Sequence, residues 1–240
     1  MPKYRLRYAK FGPARFASHL DLGRALGRAL RRAGLPVAYS QGFHPLPKMA
    51  FGPPLPVGVE SEAEFVDITF TEELAAGEIS RRLNAALPKG LAVTGVLKLP
   101  PKAPSLMSLI DRFTYVFLFT FSPEDTGAWE KEKTGAFLAD LWQKEELPVV
   151  RKKKDGKQGG EKRVNLRPFW YDYNFSFIEQ GLLQVAIDVA YGPRGTMRPD
   201  ELLPFFPPAW RLQKVIRAQA WSRGEPVLPV AVHRGQTEGV

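Results

Sequence analysis

Two hydrophobic periods alternate along this chain in an order that repeats, and that order narrows the fold more than any single motif. Period-two alternation in YRLRYAK gives way to a 3.6-residue period from Ser18 to Gly34. Short β-type runs come next at PVAYSQ, MAFGPPL and EFVDITF, then a helical stretch over about 72–87 and the run LAVTGVLKL. The second half has RFTYVFLFTF, apolar on both faces as a central strand would be, a helical stretch over roughly 124–145, and LPVVRKK. Two alternating runs around Gln180-Gly181 then read as a hairpin, Pro199-Asp200-Glu201 as a helix start, and WRLQKVIRAQAW as a closing strand.

MAFGPPL is broken by prolines; with it set aside, the order βαββαβ appears twice. The expected fold is α+β, with duplicated, tandem ferredoxin-like domains. The N-terminal domain spans 1–98, a Pro-rich linker 99–111, the C-terminal domain 112–221, and a loose tail 222–240.

An apolar share of 44% over 240 residues is enough for real cores. With no cysteine, the chain has no disulfide, thiolate zinc site, cysteine nucleophile or self-held iron–sulfur cluster. His19, His44 and His233 lack ligand spacing, so no metal is expected. The absence of a long apolar run and of a signal-like N-terminus sets a cytoplasmic expectation with no membrane partner.

Charge is unevenly placed. Residues 1–50 hold ten Lys or Arg against one acid, Asp21, and so account for the whole net charge of +9. Residues 60–78 carry seven acids and no base, whereas 151–167 carry eight bases and two acids. Two basic foci separated by an acidic stretch point to a polyanion, RNA, bound in a defined orientation.

The first focus lies on the helix. Ser18 and Asp21 have the spacing of a capping box, and Leu22, Leu26, Ala29, Leu30 and Ala33 form a stripe to bury. Arg24, Arg28, Arg31 and Arg32 fall largely outside that stripe and are candidate phosphate contacts. Some of them have acids of 60–78 as alternative partners. Gly23 and Gly27 each cost about 1 kcal/mol relative to Ala in a helix interior. They require a close approach by a neighbouring strand or a nucleic-acid backbone. Ser18, His19 and Asp21 lie within one turn and serve capping rather than a nucleophilic triad.

In YSQGFHPLPK, Gly42 permits an unusual turn, and Pro45 and Pro47 stiffen the rest of the loop. Phe43 is a candidate to stack a base or to plug the core, His44 to bond or move a proton, and Lys48 to hold a phosphate. The second focus, RKKKDGKQGGEKR, offers Lys152, Lys153, Lys154, Lys157 and Arg163, with Arg167 just beyond. Alternation in KYRLRY sets Lys3, Arg5 and Arg7 opposite Tyr4, Leu6 and Tyr8. An open-sheet RNA-recognition motif would need aromatics on the exposed face, which this strand lacks. Glu64 falls on the inner face with Val66, Ile68 and Phe70 and needs a donor there.

The run RYAKFGPARFASHLDLGRALGRALRRAGLPVAYSQGFHPLPKMAFGPPLPVGVESEAEFVDI resembles the N-terminal signature of a bacterial family called radical SAM-linked proteins. RKKKDGKQGGEKRVNLRP and GTMRPDELL fall where that family has a Lys-rich loop and an Arg-Pro-Asp helix start, with Asn165 standing where an acid is expected. The resemblance implies a partner, a cobalamin-binding radical SAM enzyme encoded beside or fused to such a domain. The partner would carry the 4Fe-4S cluster and S-adenosylmethionine, leaving no cofactor on this chain. A weaker fold likeness is to CRISPR repeat-processing endoribonucleases, which cleave RNA without metal through a histidine helped by tyrosine and lysine. Tyr39, His44 and Lys48 match those residue types, while the glycine-rich loop of those enzymes near the C-terminus is missing.

The leading expectation is a non-catalytic RNA-binding subunit that presents structured RNA, ribosomal or transfer, to a radical SAM modifying enzyme. The alternatives are a metal-independent endoribonuclease using His44 and a scaffold that binds only protein.

Overall fold

The computed structural model describes residues 1–121, 129–152, 160–178, 181–193 and 195–228. It is a mixed α+β fold dominated by sheet, and it divides into two compact units, Met1–Ile110 with Ala220–Val240, and Asp111–Gln219.

In the first unit, β1 (Lys3–Lys10), α1 (His19–Arg32), β2 (Met49–Phe51), β3 (Glu60–Thr69), α2 (Ala76–Ala86) and β4 (Leu91–Lys98) succeed one another. The strands are antiparallel in the order β4-β1-β3-β2. Alternation along β1 decides the core. Tyr4, Leu6 and Tyr8 join Val66, Ile68 and Phe70 of the neighbouring chain segment and pack against Leu22, Leu26 and Leu30 of α1 and Ile79 and Leu83 of α2. Each large apolar side chain buried there contributes roughly 1.5–3 kcal/mol. The Tyr4 hydroxyl donates to the Leu74 carbonyl at 2.7 Å, so the phenol enters the core without an unmet bond. Glu64, on this inner face, accepts from Ser61 Oγ at 2.8 Å.

The other face of β1 is no basic surface. Of the three bases expected on it, Lys3 at the strand's start is exposed but Arg5 and Arg7 are buried, and Lys10, past the irregularity after Tyr8, is buried too. Arg5 makes a bidentate pair with Asp67, Nε to Oδ1 at 2.8 Å and Nη2 to Oδ2 at 2.9 Å, and also donates to the Pro104 carbonyl. Arg7 donates to the Glu62 and Leu228 carbonyls, and Lys10 Nζ to the Ala17 carbonyl. A buried guanidinium needs acceptors on every side, and extended main chain supplies them. Residues 99–110 and 220–228 therefore belong to this unit's body, in place of the expected linker and the start of the expected tail. Leu99, Leu106 and Ile110 are buried, Leu106 in the short helix α3 (Leu106–Leu109). Residues 229–240 of that tail lie outside the described residues.

PVAYSQ forms isolated bridges, Val37 to Phe70 and Tyr39 to Pro47, in place of the expected strand. Prolines at 36, 45 and 47 remove the donors a ladder would use. The strand after α1 is β2 instead, drawn from MAFGPPL, so that run belongs to the sheet and cannot be set aside.

The second unit contains β5 (Arg112–Thr120), α4 (Lys131–Gln143), the ribbon β6 (Pro148–Lys152) and β7 (Glu161–Asn165), then β8 (Trp170–Ile178) and β9 (Leu182–Ala190). A 3-10 helix, Pro199–Phe205, precedes β10 (Arg211–Ser222), and β11 (Glu225–Pro226) pairs the last residues of β10 within the first unit. The sheet order is β10-β5-β9-β8, with β5 internal. The segment opening at Pro199 stays 3-10 because Pro204 interrupts it and Pro207 and Pro208 come directly after it. Its core is aromatic: Phe119, Phe206 and Trp210 lie within 5.7 Å of one another by ring centroid.

Candidate functional site

α1 opens with the expected capping box. Ser18 Oγ accepts from the Asp21 amide at 3.2 Å, and Asp21 Oδ2 accepts from the Ser18 amide at 3.3 Å and hydroxyl at 2.6 Å. Those Ser18 bonds hold the Asp21 carboxyl below its ordinary range, and Arg24 and Arg28 add to the effect. His19, beside the cap, packs edge to face on Phe51 at 4.9 Å.

Burial of Leu22, Leu26, Ala29 and Leu30 turns the opposite side of α1 outward. Arg28 and Arg31 are exposed and make no hydrogen bond or ion pair with a described residue; Arg24 reaches Asp21 only at 3.9 Å, with both side chains mostly in solvent. Arg32 differs: its Nη2 donates to the Ala86 carbonyl at the end of α2. Four of the seven acids of 60–78 pair with other cations, Asp67 with Arg5, Glu60 with Arg15, Glu78 with Arg82 and Glu73 with Lys98, and none of the seven is in an ion pair with an arginine of α1 among the described residues. The outward arginines of α1 are thus left for solvent or a ligand.

Gly23 and Gly27 form one flank of α1, and the element that approaches them is β2 with the turn before it. A Cβ on Gly23 would meet the Phe51 ring at 3.8 Å; one on Gly27 would meet Pro47 at 3.7 Å and Met49 at 3.9 Å. Between these walls runs an open groove of about 440 Å³. Arg24, Arg28 and Arg31 stand along one side of it, and Leu46, Met49 and Phe51 along the other. The glycine spacing was the sequence signal for this groove; the roles of His19, Met49 and Phe51 in it had none.

The loop after α1 is pinned at its base. Ser40 N donates to the Leu46 carbonyl at 2.9 Å, Leu46 N to Ser40 Oγ at 3.0 Å, and Lys48 N to the Ala38 carbonyl at 2.8 Å. Gly42 has φ 124°, a backbone that other residues rarely adopt, so its tip keeps a glycine. Phe43 is fully exposed there, which excludes the core-plug reading, and His44 and Lys48 are exposed as well. The side chains of Tyr39, His44 and Lys48 make no hydrogen bond or ion pair with a described residue. Nothing among those residues orients them as an acid–base set.

The second basic focus divides. Lys152 and Arg163 are exposed on the β6–β7 ribbon, while Lys153, Lys154 and Lys157 lie outside the described residues. Arg167 is used internally, stacked over Trp142 at 4.1 Å and donating to the Trp170 carbonyl at 3.0 Å. Arg151 makes a two-pronged contact with Glu201, at 2.7 and 2.8 Å, and Arg198 joins the same carboxylate. Burial pushes the Glu201 carboxyl up, but the hydrogen bonds from Arg151 and Arg198 outweigh it and leave the group below its ordinary range. Asn165, where an acid was expected, accepts from the Leu147 and Arg167 amides and donates Nδ2 to the Glu145 carbonyl. An ionised carboxylate could not make that last bond, so the amide fits a structural post.

No group of three or more His, Asp or Glu placed to hold a metal occurs among the described residues, and none of their helices is long and apolar enough to cross a membrane.

The fold and groove define a sheet-dominated α+β protein with a cationic, apolar-floored cleft on its first helix. The chain belongs to a bacterial family described as "Uncharacterized protein conserved in bacteria (DUF2344)", whose model matches residues 3–199. Among solved structures, a chain of a Cbf5-Nop10-Gar1 complex is similar at 11% identity with a TM-score of 0.45, over 90% of this chain and 48% of that one. This chain spans about half the length of that solved chain. No curated protein matches.

Proposed function

We propose that this protein is a non-catalytic, cytoplasmic RNA-binding subunit that presents structured RNA to a radical SAM modifying enzyme, the partner carrying the iron–sulfur cluster and S-adenosylmethionine. One observation carries the RNA half of this reading: Arg28 and Arg31, with Arg24 beside them, line an open groove, and neither of the first two is in an ion pair with a described carboxylate. Arginine presents a planar fork of donors suited to phosphate oxygens, and three on one helix flank rise about 6 Å and then about 4.5 Å along the axis. The exposed Phe43 and Lys48 belong to the same unit. The partner half rests on the sequence resemblance. We further read each unit as one ferredoxin-like copy, since β4-β1-β3-β2 and β10-β5-β9-β8 repeat one strand order.

The test is RNA affinity measured against salt. Wild type should lose affinity steeply as salt rises, and a protein with Arg24, Arg28 and Arg31 all changed to Ala should have a slope shallower by about 2, at roughly 0.7 per phosphate on a single strand. An unchanged slope in the variant overturns this assignment. Recovery of a radical SAM enzyme with the protein, lost on ribonuclease treatment, would join the two halves; recovery that survives the treatment, without RNA affinity, favours the scaffold.

A further inference from the structure

Resting on the RNA reading, we propose that the α1 groove is a slot for one unstacked nucleotide, its base on the floor between Gly23, Gly27, Met49 and Phe51 and its flanking phosphates on Arg24, Arg28 and Arg31. Size supports a single nucleotide. About 440 Å³ falls within the range of small-ligand sites, roughly 300–1,000 Å³. A docked partner helix would need a far longer apolar track, because stable protein interfaces bury about 1,000 Å² or more.

Chemistry points the same way. The floor has two helical glycines with no side chain, a thioether and an aromatic ring, a surface that receives a flat apolar face. The three arginines of the lining all come from α1, whereas Leu46, Pro47, Met49 and Phe51 from β2 and the turn before it are apolar, so the lining suits an occupant that is apolar on one part and anionic on another, as a nucleotide is. Gly23 and Gly27 gain a purpose. Alanine at either position would meet Phe51, Pro47 or Met49 at ordinary contact distance and would improve helix propensity, so the approach of β2 alone does not demand glycine at these two lining positions. Apart from the three arginines, His19 is the one lining side chain among the described residues that carries nitrogen or oxygen, so the slot grips any base with little reading of its edge. RNA presents such a base only in a loop, bulge or end.

The experiment uses the full chain and an RNA hairpin with an unpaired loop, compared with the same hairpin in which every loop nucleotide is abasic. Wild type should bind the abasic RNA about 5- to 150-fold more weakly, the range for one stacked base. Gly27→Leu, which fills the floor, should lose a similar factor on the intact hairpin, little on the abasic one, and keep its salt slope. Gly23→Leu is the second filler, and Gly27→Ala, with its melting temperature, reports that the helix tolerates a side chain. Equal binding of both hairpins by wild type, or undiminished binding by both folded fillers, overturns the slot while the salt slope keeps the RNA reading. Absence of binding to either hairpin overturns both. Free adenosine or uridine monophosphate that binds as tightly as the hairpin overturns the RNA occupant in favour of a small-molecule site.

Discussion

Arg32, in the last turn of α1, donates through Nη2 to the carbonyl of Ala86, in the last turn of α2. The favour is returned in space, because Arg82 of α2 donates to the Ala33 and Gly34 carbonyls at the end of α1. Helix C-termini expose unbonded carbonyls and a partial negative charge, and each cation answers the other helix's need. Arg32 and Arg31, adjacent in sequence, therefore separate by function. Arg32→Ala should lower stability by about 0.5–1 kcal/mol with RNA affinity nearly unchanged, whereas Arg31→Ala should weaken RNA binding and leave the melting temperature in place. Thermal melts and binding titrations on the two variants check the split.

The Arg5 and Asp67 pair lies in the interior and sets a different scale. Asp67→Ala would leave a guanidinium buried with one main-chain acceptor on that side, at a cost of about 3–5 kcal/mol. Replacing both partners by apolar residues, Arg5→Met with Asp67→Leu, should recover most of that loss in urea unfolding. A double variant as unstable as Asp67→Ala would mean that Arg5 is held chiefly by the Pro104 carbonyl.

How much of the fold and groove was readable depends on the distance of each partner along the chain. The Ser18 cap, the Leu22 stripe and the face of Tyr4, Leu6 and Tyr8 are set within a few residues, and the sequence displays them. Alternation also shows that Arg5 and Arg7 share a face, yet it cannot show what covers it. Their acceptors, Asp67, Pro104 and Leu228, lie 62, 99 and 221 residues away. A charge count therefore takes Arg5, Arg7 and Lys10 for surface when they are core. In the same way Gly23 and Gly27 announce a close approach without naming Phe51 and Met49. The ribbon strand β7 was hidden by charge: EKRVN has neither the apolar content nor the branching expected of a strand, and its pairing with β6 supplies what its composition does not.

Tyr39, His44 and Lys48 share one loop, but none of their side chains is held by another described residue. General acid–base cleavage needs a proton-transfer group oriented within hydrogen-bond reach of its target. Incubation with cellular RNA in chelator is expected to yield no new 2′,3′-cyclic ends, and His44→Ala to change only affinity. Cyclic ends that form with the wild type and vanish in His44→Ala would establish the endoribonuclease instead.

Glu201 supplies the pH dependence of the second unit. Its carboxyl sits below the ordinary range because the bonds from Arg151 and Arg198 outweigh the upward push of burial. Between the folded and unfolded values the unfolded chain binds more protons, so stability from this group is complete above the unfolded value, about 4.3, and disappears as pH falls through the folded one. Glu201→Gln keeps the shape and removes the charge. Urea midpoints measured from neutral pH into acid should fall less steeply for Glu201→Gln than for wild type, with the variant already weaker at neutral pH. Parallel acid limbs in the two proteins would move the acid sensitivity to another carboxylate. Asp188 cannot take that role, since its carboxyl is pushed up by burial and a raised acid gives stability that grows as pH falls.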